Sequence, residues 1–304
     1  MQSEKKVGLI INYIAQAVHI ASGLIYTPIM LNILGQSEYG LYQLVSSIVS
    51  YLSLFSLGFT SSYIRFYARY KIKNDDNGLA SLNGLFMTLF CGMAILCILC
   101  GIFMIGNIEL FFGNGLTVTE YKKVRVLLLI MVFAMAISFP NSVLECQITA
   151  NEKFVFLQFL DLLQKILNPF ITLPCLFLGF GSVGVVLVSF VLTISKFLIN
   201  IYFCRSKLQV RFSFKSLDVS LLREVSGFTI FIFINQVVDQ INWNLDKLLL
   251  GRMRGSTSVA VYGVSSTIYT MYTNFANSIK NVFVPQVNLT VAKGNSDNEV
   301  TDLF

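Results

Sequence analysis

Apolar residues along the chain come in long blocks, not in the short alternations of a half-buried sheet. At about 20 apolar residues per bilayer crossing, blocks near 8–33, 41–63, 84–106, 126–145, 154–177, 184–204, 227–250 and 259–283 predict eight transmembrane helices. The fold class is therefore an all-α polytopic membrane protein. Short neutral connections alternate with longer basic ones. With the N-terminus in the cytoplasm, internal segments carry fourteen lysines and arginines against five on external segments. The positive-inside rule then puts both ends of the chain inside. Lys122, Lys123 and Arg125 are the exception, on an external connection.

Polar positions inside these blocks are few and periodic. In the seventh, GFTIFIFINQVVDQINWNLDKLLLG, Asn235, Asp239, Asn242 and Asp246 follow i, i+4, i+7, i+11, one face of a helix. Gln236, Gln240, Trp243 and Lys247 repeat the spacing one residue on. Facing lipid, each ionised group would cost about 2.5–3.5 kcal/mol near the bilayer centre. The stripe is thus expected to face protein or a water-filled cavity, as a hydrated pathway or as polar glue between helices.

The first block has Asn12, Gln16 and His19 on one face, with Pro28 bending its outer end. His19 reads as a packing residue or a proton relay. Arg65 and Arg69 sit one turn apart at the inner interface, as snorkelling anchors or as contacts for anionic headgroups. In the fifth block Gln158, Asp161, Lys165, Asn168 and Thr172 share a face, interrupted by Pro169 and Pro174. Asp161 and Lys165, at i, i+4, either neutralise each other or line a cavity. Lys196, in the sixth block, has no partner in its own helix, which makes it the best single attractor for an anionic substrate. Glu145, ending the fourth block near the inner surface, is read either as an interfacial carboxylate or as a cavity residue.

Composition agrees with the pattern: 55% of residues are hydrophobic and 12% charged, more apolar surface than a soluble interior of this size can hide. The N-terminal block is basic-flanked but has no small-residue cleavage site, so it reads as a retained span. The six cysteines lie in or beside apolar runs without zinc-type spacing, and there is one histidine. No metal or cofactor is expected, though coupling to protons or sodium through Asp239 or Asp246 is compatible with the stripe. The basic residues follow membrane topology and form no nucleic-acid patch. The longest stretch outside the blocks is about 20 residues, with no Gly-rich phosphate loop. That excludes a nucleotide-sugar enzyme, and the chain is expected not to be an enzyme.

The basic, partly amphipathic segment 205–226 reads as a surface-lying connection between a lobe over 1–204 and the start of a second over 227–304. Shifted by 220 residues, Tyr42, Ser46, Ile48 and Phe55 coincide with Tyr262, Ser266, Ile268 and Phe275. Leu34-Gly35 and Leu250-Gly251 precede the two runs. Repeated bundles are a common plan of secondary transporters.

The run TPIMLNILGQSEYGLYQLVSSIVSYLSLFSLGF, then Arg65 and a basic loop, resembles the N-terminal signature of the Wzx-type polysaccharide flippases. These belong to the multidrug/oligosaccharidyl-lipid/polysaccharide exporter (MOP) superfamily. LDKLLLGRMRGSTSVAVYGVSSTIY resembles their signature at the seventh and eighth helices. The resemblance implies two six-helix lobes facing across a cleft and working by alternating access. The cargo would be an undecaprenyl-pyrophosphate-linked oligosaccharide in the bacterial inner membrane. By that analogy Asn12, Gln16, His19, Asp239, Asn242, Asp246 and Lys247 line the cleft. Lys165, Lys196, Lys247 and Arg65 would balance phosphate, and Trp243 would contact sugar. Membrane lipids, a polysaccharide polymerase and chain-length proteins are the partners implied. Family members continue to about twelve helices, so the resemblance leads one to expect a complete six-helix lobe plus two helices of the second, either truncated or assembling with another chain. The alternatives are an ion-coupled multidrug or cation antiporter of the same superfamily, and an inactive truncated product.

Overall fold

A computed structural model of the chain describes residues 2–56, 59–112, 116–214 and 219–273, with side chains described except at 2–13, 15, 16, 19, 61, 112 and 219–228. Among these residues every regular element is a helix. In order they are α1 (Gln2–Leu52), a 3-10 turn (Ser53–Ser56), α2 (Phe59–Ile72), α3 (Asp76–Gly106), α4 (Ile108–Phe112), α5 (Val118–Ala150), α6 (Phe154–Phe177), α7 (Gly181–Ser206) and α8 (Val219–Arg254). A further helix, α9, spans 256–273. By length and composition α3, α5, α6 and α7 are each long and apolar enough to cross a membrane.

α1 is two helices in one. Gly35 has φ 75° and ψ 167°, a conformation that side chains with a Cβ rarely adopt, and it breaks the helix into two arms. The first arm, at residues 18–26, runs beside 165–173 of α6 in the same sense. The second runs beside α7, from Glu38 against Ser182 to Ser46 and Ser50 near Ser189. α6 and α7 are antiparallel, because Asn168 meets Ser189, Gln164 meets Leu192 and Asp161 meets Lys196. The two arms of α1 are therefore antiparallel as well.

This order sorts the connections into two ends. One, the Gly35 end, gathers Gly35–Glu38, the start of α5, the α6–α7 turn and the α8–α9 turn. The other, the Asp75 end, gathers the α2–α3 and α5–α6 turns and the segment after α7. Helix starts at both ends are capped from the local sequence. Asp75 accepts from the Gly78 backbone N–H at 2.8 Å, and Thr117 with Glu120 forms a capping box at the start of α5.

The core lies where the second arm of α1, α2, α3 and α5 meet, around Leu44, Ile48, Phe86, Phe90, Leu127 and Leu128. Tyr63 packs edge-on against Phe86, centroids 5.1 Å apart. Its hydroxyl donates to Asn83 at 2.6 Å, satisfying a polar group that burial would otherwise penalise.

The expected second span, 41–63, is interrupted. After Leu52 the chain tightens into the 3-10 turn, and α2 begins separately at Phe59. The connection 205–226 is described in part. Beyond Ser206, residues up to Phe214 leave the helix, and Ser213 donates its backbone N–H to the Ala80 carbonyl at 2.9 Å. Leu208, Val210 and Phe212 pack against the cluster of Leu144, Ile148 and Cys204. This portion is a strap across the start of α3, held by backbone pairing and apolar contact.

Candidate functional site

The junction of α8 and α9 with the second arm of α1 concentrates the polar chemistry. On the side facing α1, Gln240 donates to Ser53 Oγ at 3.2 Å and receives from Asn244 at 2.6 Å. Lys247 reaches Gln43 Oε1 at 3.4 Å, and Gln43 donates to the Tyr39 hydroxyl at 2.7 Å. On the other side, Asp246 accepts from the Tyr262 hydroxyl of α9, and Trp243 lies 5.1 Å from the Tyr269 ring. Asn235 donates to its own helix at the Phe231 carbonyl, 3.2 Å away. Asp239 and Asn242 are exposed and have no hydrogen-bond or ionic partner among the described residues.

Opposite α8, a cavity of about 360 Å³ is lined by Ser46, Ser50 and Ser53, by Ser138 of α5, by Ser189 of α7 and by Gln240. Ser50, Ser138 and Ser189 donate back to the carbonyls four residues earlier, at 2.8, 3.0 and 3.1 Å. With each proton so committed, the Ser50 and Ser138 oxygens keep lone pairs for a donor in the cavity, while Ser189 already accepts one bond from Asn168. The sequence reading misses this serine wall, although Ser46, Ser50 and Ser53 fall at i, i+4, i+7 and are open to the same periodic argument as α8.

A second polar group lies among α5, α6 and α7. Lys196 of α7 is 2.6 Å from Glu145 of α5 and 2.8 Å from Asp161 of α6. Asn141 donates to Glu145 at 2.8 Å and receives from Asn200 at 2.8 Å. Lys196 has no partner in its own helix, as expected, but two neighbouring helices supply one each, so it is not an unpaired charge awaiting a substrate. Asp161 is taken by Lys196 and not by Lys165 one turn on. Lys165 has no ionic or hydrogen-bond partner among the described residues and lines an apolar groove between α1 and α6. Asn168, on the same face, donates to Ser189 at 3.1 Å.

At the Gly35 end the two regions are tied together. Glu120 Oε1 accepts from Ser37 at 2.7 Å and from Ser256, after α8, at 2.6 Å. Gly40 packs so closely here that a Cβ would sit 1.8 Å from the Ser256 carbonyl oxygen. Beside it Glu38 accepts from Lys123 at 2.9 Å and from the Ser182 backbone and hydroxyl at 2.8 Å each. Burial raises the Glu38 pKa, but the bonds from Lys123 and Ser182 outweigh it and hold the carboxyl below its ordinary value. Neither carboxylate stands out in the sequence. The one local signal is the Thr-x-x-Glu pattern of the α5 capping box.

Arg65 lies exposed on α2, with an interaction of its own. The side chains of Asn12, Gln16 and His19 lie outside the described residues. No cluster of three metal-ligating side chains occurs among the described residues.

This fold is shared with transporters of the MOP superfamily. A MATE multidrug transporter, DinF-BH, solved as a complex, superposes with a TM-score of 0.72 at 15% identity, over 94% of this chain and 65% of that one. An inward-facing MATE family multidrug resistance transporter gives 0.59 at 16% identity, over 97% and 65%. A MOP superfamily transporter from Pyrococcus furiosus gives 0.53 at 14%, over 99% and 73%. This chain thus spans about two thirds of the length of these transporters. Among curated proteins none matches it in sequence. Residues 7–288 match the family described as polysaccharide biosynthesis protein, and the chain belongs to that Wzx-like flippase family. It is a multi-pass membrane protein of a transporter family.

Proposed function

We propose that the protein translocates undecaprenyl-pyrophosphate-linked oligosaccharide repeat units across the bacterial inner membrane by alternating access, supplying O-antigen, capsule or exopolysaccharide synthesis. The observation that carries this reading is the meeting of the α8 stripe with the serine-lined cavity. Sugars present donors and acceptors in every direction, and this junction offers both. Amides at Gln43, Gln240, Asn242 and Asn244 do either, serine oxygens accept, and Trp243 with Tyr269 gives an aromatic surface. Lys247, held among the described residues only by a neutral amide at 3.4 Å, can exchange that bond for a charge-assisted one to phosphate.

In this reading the Gly35 end is outer and closed, and the cargo loads from the Asp75 end, with the N-terminus in the cytoplasm. The basic residues around the Asp75 end support that orientation. Residues 1–204 form one moving lobe and 227–273 belong to the other, joined through 205–226. Coupling to protons or sodium through Asp239 or Asp246 belongs to the same proposal, as do a polysaccharide polymerase and chain-length proteins as partners. A cation antiporter would need a vacant carboxylate in the first lobe. The described ones there that lie deep in the bundle, Glu145 and Asp161, already hold the Lys196 ammonium.

The test is complementation. Expressed in a strain lacking its own flippase, this chain should restore surface polysaccharide, and Asp239→Ala at equal expression should not. Full display with Asp239→Ala would overturn the assignment of the α8 stripe.

A further inference from the structure

The first lobe carries an opening that the cleft does not use. Between the first arm of α1 and α6 lies a groove of about 320 Å³, walled by Val18 and Ile25 on one side and by Ile166, Phe170 and Leu173 on the other, with Lys165 at one end. Among the described residues, none of α8 lines it. Pro169 contributes to the wall. Its ring removes the N–H that would close on the Lys165 carbonyl and keeps the helix from running straight there.

We propose that this groove seats the isoprenoid chain of the lipid cargo, with the cargo's phosphate against the Lys165 ammonium. The proposal rests on the flippase reading above and names where the lipid part of the substrate travels. An apolar groove in a bilayer selects little by itself, since lipid tails are as apolar as its walls. The lysine changes that. An ammonium at membrane depth gains from a counter-ion, and an anion covalently joined to a hydrocarbon chain supplies one while filling the groove. A soluble anion would meet apolar walls.

Depth separates the cargo from ordinary phospholipid. Lys165 lies eleven residues into α6, about 16 Å along the helix at 1.5 Å per residue, close to the middle of a hydrocarbon core of about 30 Å. From there the groove runs toward the Gly35 end. A lipid seated in it has left the inner surface, with its phosphate at mid-membrane and its chain directed outward. A phospholipid resting in either leaflet keeps its headgroup at the interface, beyond the reach of a lysine at this depth. The groove is therefore a station on the crossing, alongside the cleft that carries the sugar.

The test uses the 304-residue chain in nanodiscs, with and without phosphatidylglycerol, and a polyprenyl pyrophosphate carrying a diazirine on its chain. Photolabelling is expected on the peptides around Ile25 and Phe170. Unlabelled polyprenyl pyrophosphate should compete, and inorganic pyrophosphate should not. Phosphatidylglycerol should leave the labelling unchanged. Lys165→Ala should reduce it about tenfold, the weight of one charge-assisted contact, whereas Lys165→Arg retains it. Ala21→Trp, which fills the groove and leaves the charge, should reduce it too. Equal labelling in folded Lys165→Ala, or loss of labelling to phosphatidylglycerol, would overturn the proposal. Labelling of α8 without the groove would also overturn it while leaving the flippase reading standing. Absence of labelling anywhere, together with failed complementation, would sink both.

Discussion

The ion cluster among α5, α6 and α7 and the polar stripe of α8 use the same residue types to opposite ends. In the cluster, Lys196, Glu145, Asp161, Asn141 and Asn200 come from three helices and are linked to one another at 2.6–2.8 Å, so that each charge faces an opposite one. In the stripe, Lys247 and Asp246 meet only neutral partners, and Asp239 and Asn242 meet none among the described residues. Charges that neutralise one another have little to gain from a passing ligand. Charges held by amides and hydroxyls can exchange those bonds at small cost. In the proposed function the cluster acts as a brace between α5, α6 and α7, and the stripe is the wetted wall.

The largest effect expected from this contrast is on the brace. Lys196→Ala leaves two carboxylates uncompensated and should destabilise the protein by about 2–3 kcal/mol, below the cost of breaking a fully buried pair because the partners are partly exposed. Replacing the charges together, Lys196→Met with Glu145→Gln and Asp161→Asn, should recover most of that loss and keep polysaccharide display. Loss of display in the stable triple variant would move the cluster into the transport pathway. Thermal unfolding in detergent alongside the display assay reads both.

Next in size is the close approach at Gly40. Gly40→Val has no room against the Ser256 carbonyl, and overpacking of this kind costs about 1–3 kcal/mol. The strain falls on the tie that joins α1, α5 and the start of α9, so spin labels at Val118→Cys and Thr257→Cys should move apart on average. An unchanged distance distribution would show that the tie does not hold this end closed.

A smaller stability effect, about 0.5 kcal/mol or less, is expected from Asp246→Asn, which keeps an acceptor for the Tyr262 hydroxyl at an exposed position. Display should nonetheless fall severalfold, because the charge of the stripe is what changes. Equal losses of stability and display would assign Asp246 to structure.

The smallest effect concerns pH. Glu38 is held below its ordinary pKa, so its bonds to Lys123 and Ser182 contribute fully above the ordinary carboxylate range. They are lost as pH falls through the lowered value. Lys123 is 49% exposed, which keeps the contribution to about 0.3 kcal/mol. Acidification should shift the same pair of spin labels toward longer distances, and Glu38→Gln should remove most of that shift at any pH.

Much of the fold is legible in the sequence, because crossing a bilayer demands about 20 apolar residues wherever it occurs. The block 154–177 coincides with α6, and 84–106 and 184–204 lie within α3 and α7. Elsewhere tertiary context decides. The span 41–63 contains no proline or charge to announce the 3-10 turn at Ser53–Ser56. Asp161 and Lys165 stand at the spacing of an intrahelical pair, yet a lysine 31 residues beyond Lys165 reaches the carboxylate first. Periodicity within one helix shows which residues share a face, and says nothing of which helix that face will meet. For the same reason the serines of α1 and the carboxylates Glu38 and Glu120 acquire their place only when the turns of α1, α5, α7 and α8 gather at one end.

Translocation of a lipid-linked oligosaccharide is tested most directly in proteoliposomes. Fluorescent lipid-linked oligosaccharide is loaded on the inner leaflet, and its exposure to an external glycosidase is followed over time. Cleavage should appear with this protein, fall to the protein-free rate with Asp239→Ala and persist with the neutral Lys196, Glu145, Asp161 triple variant. Cleavage at the protein-free rate with the folded wild-type chain would contradict translocation by this protein.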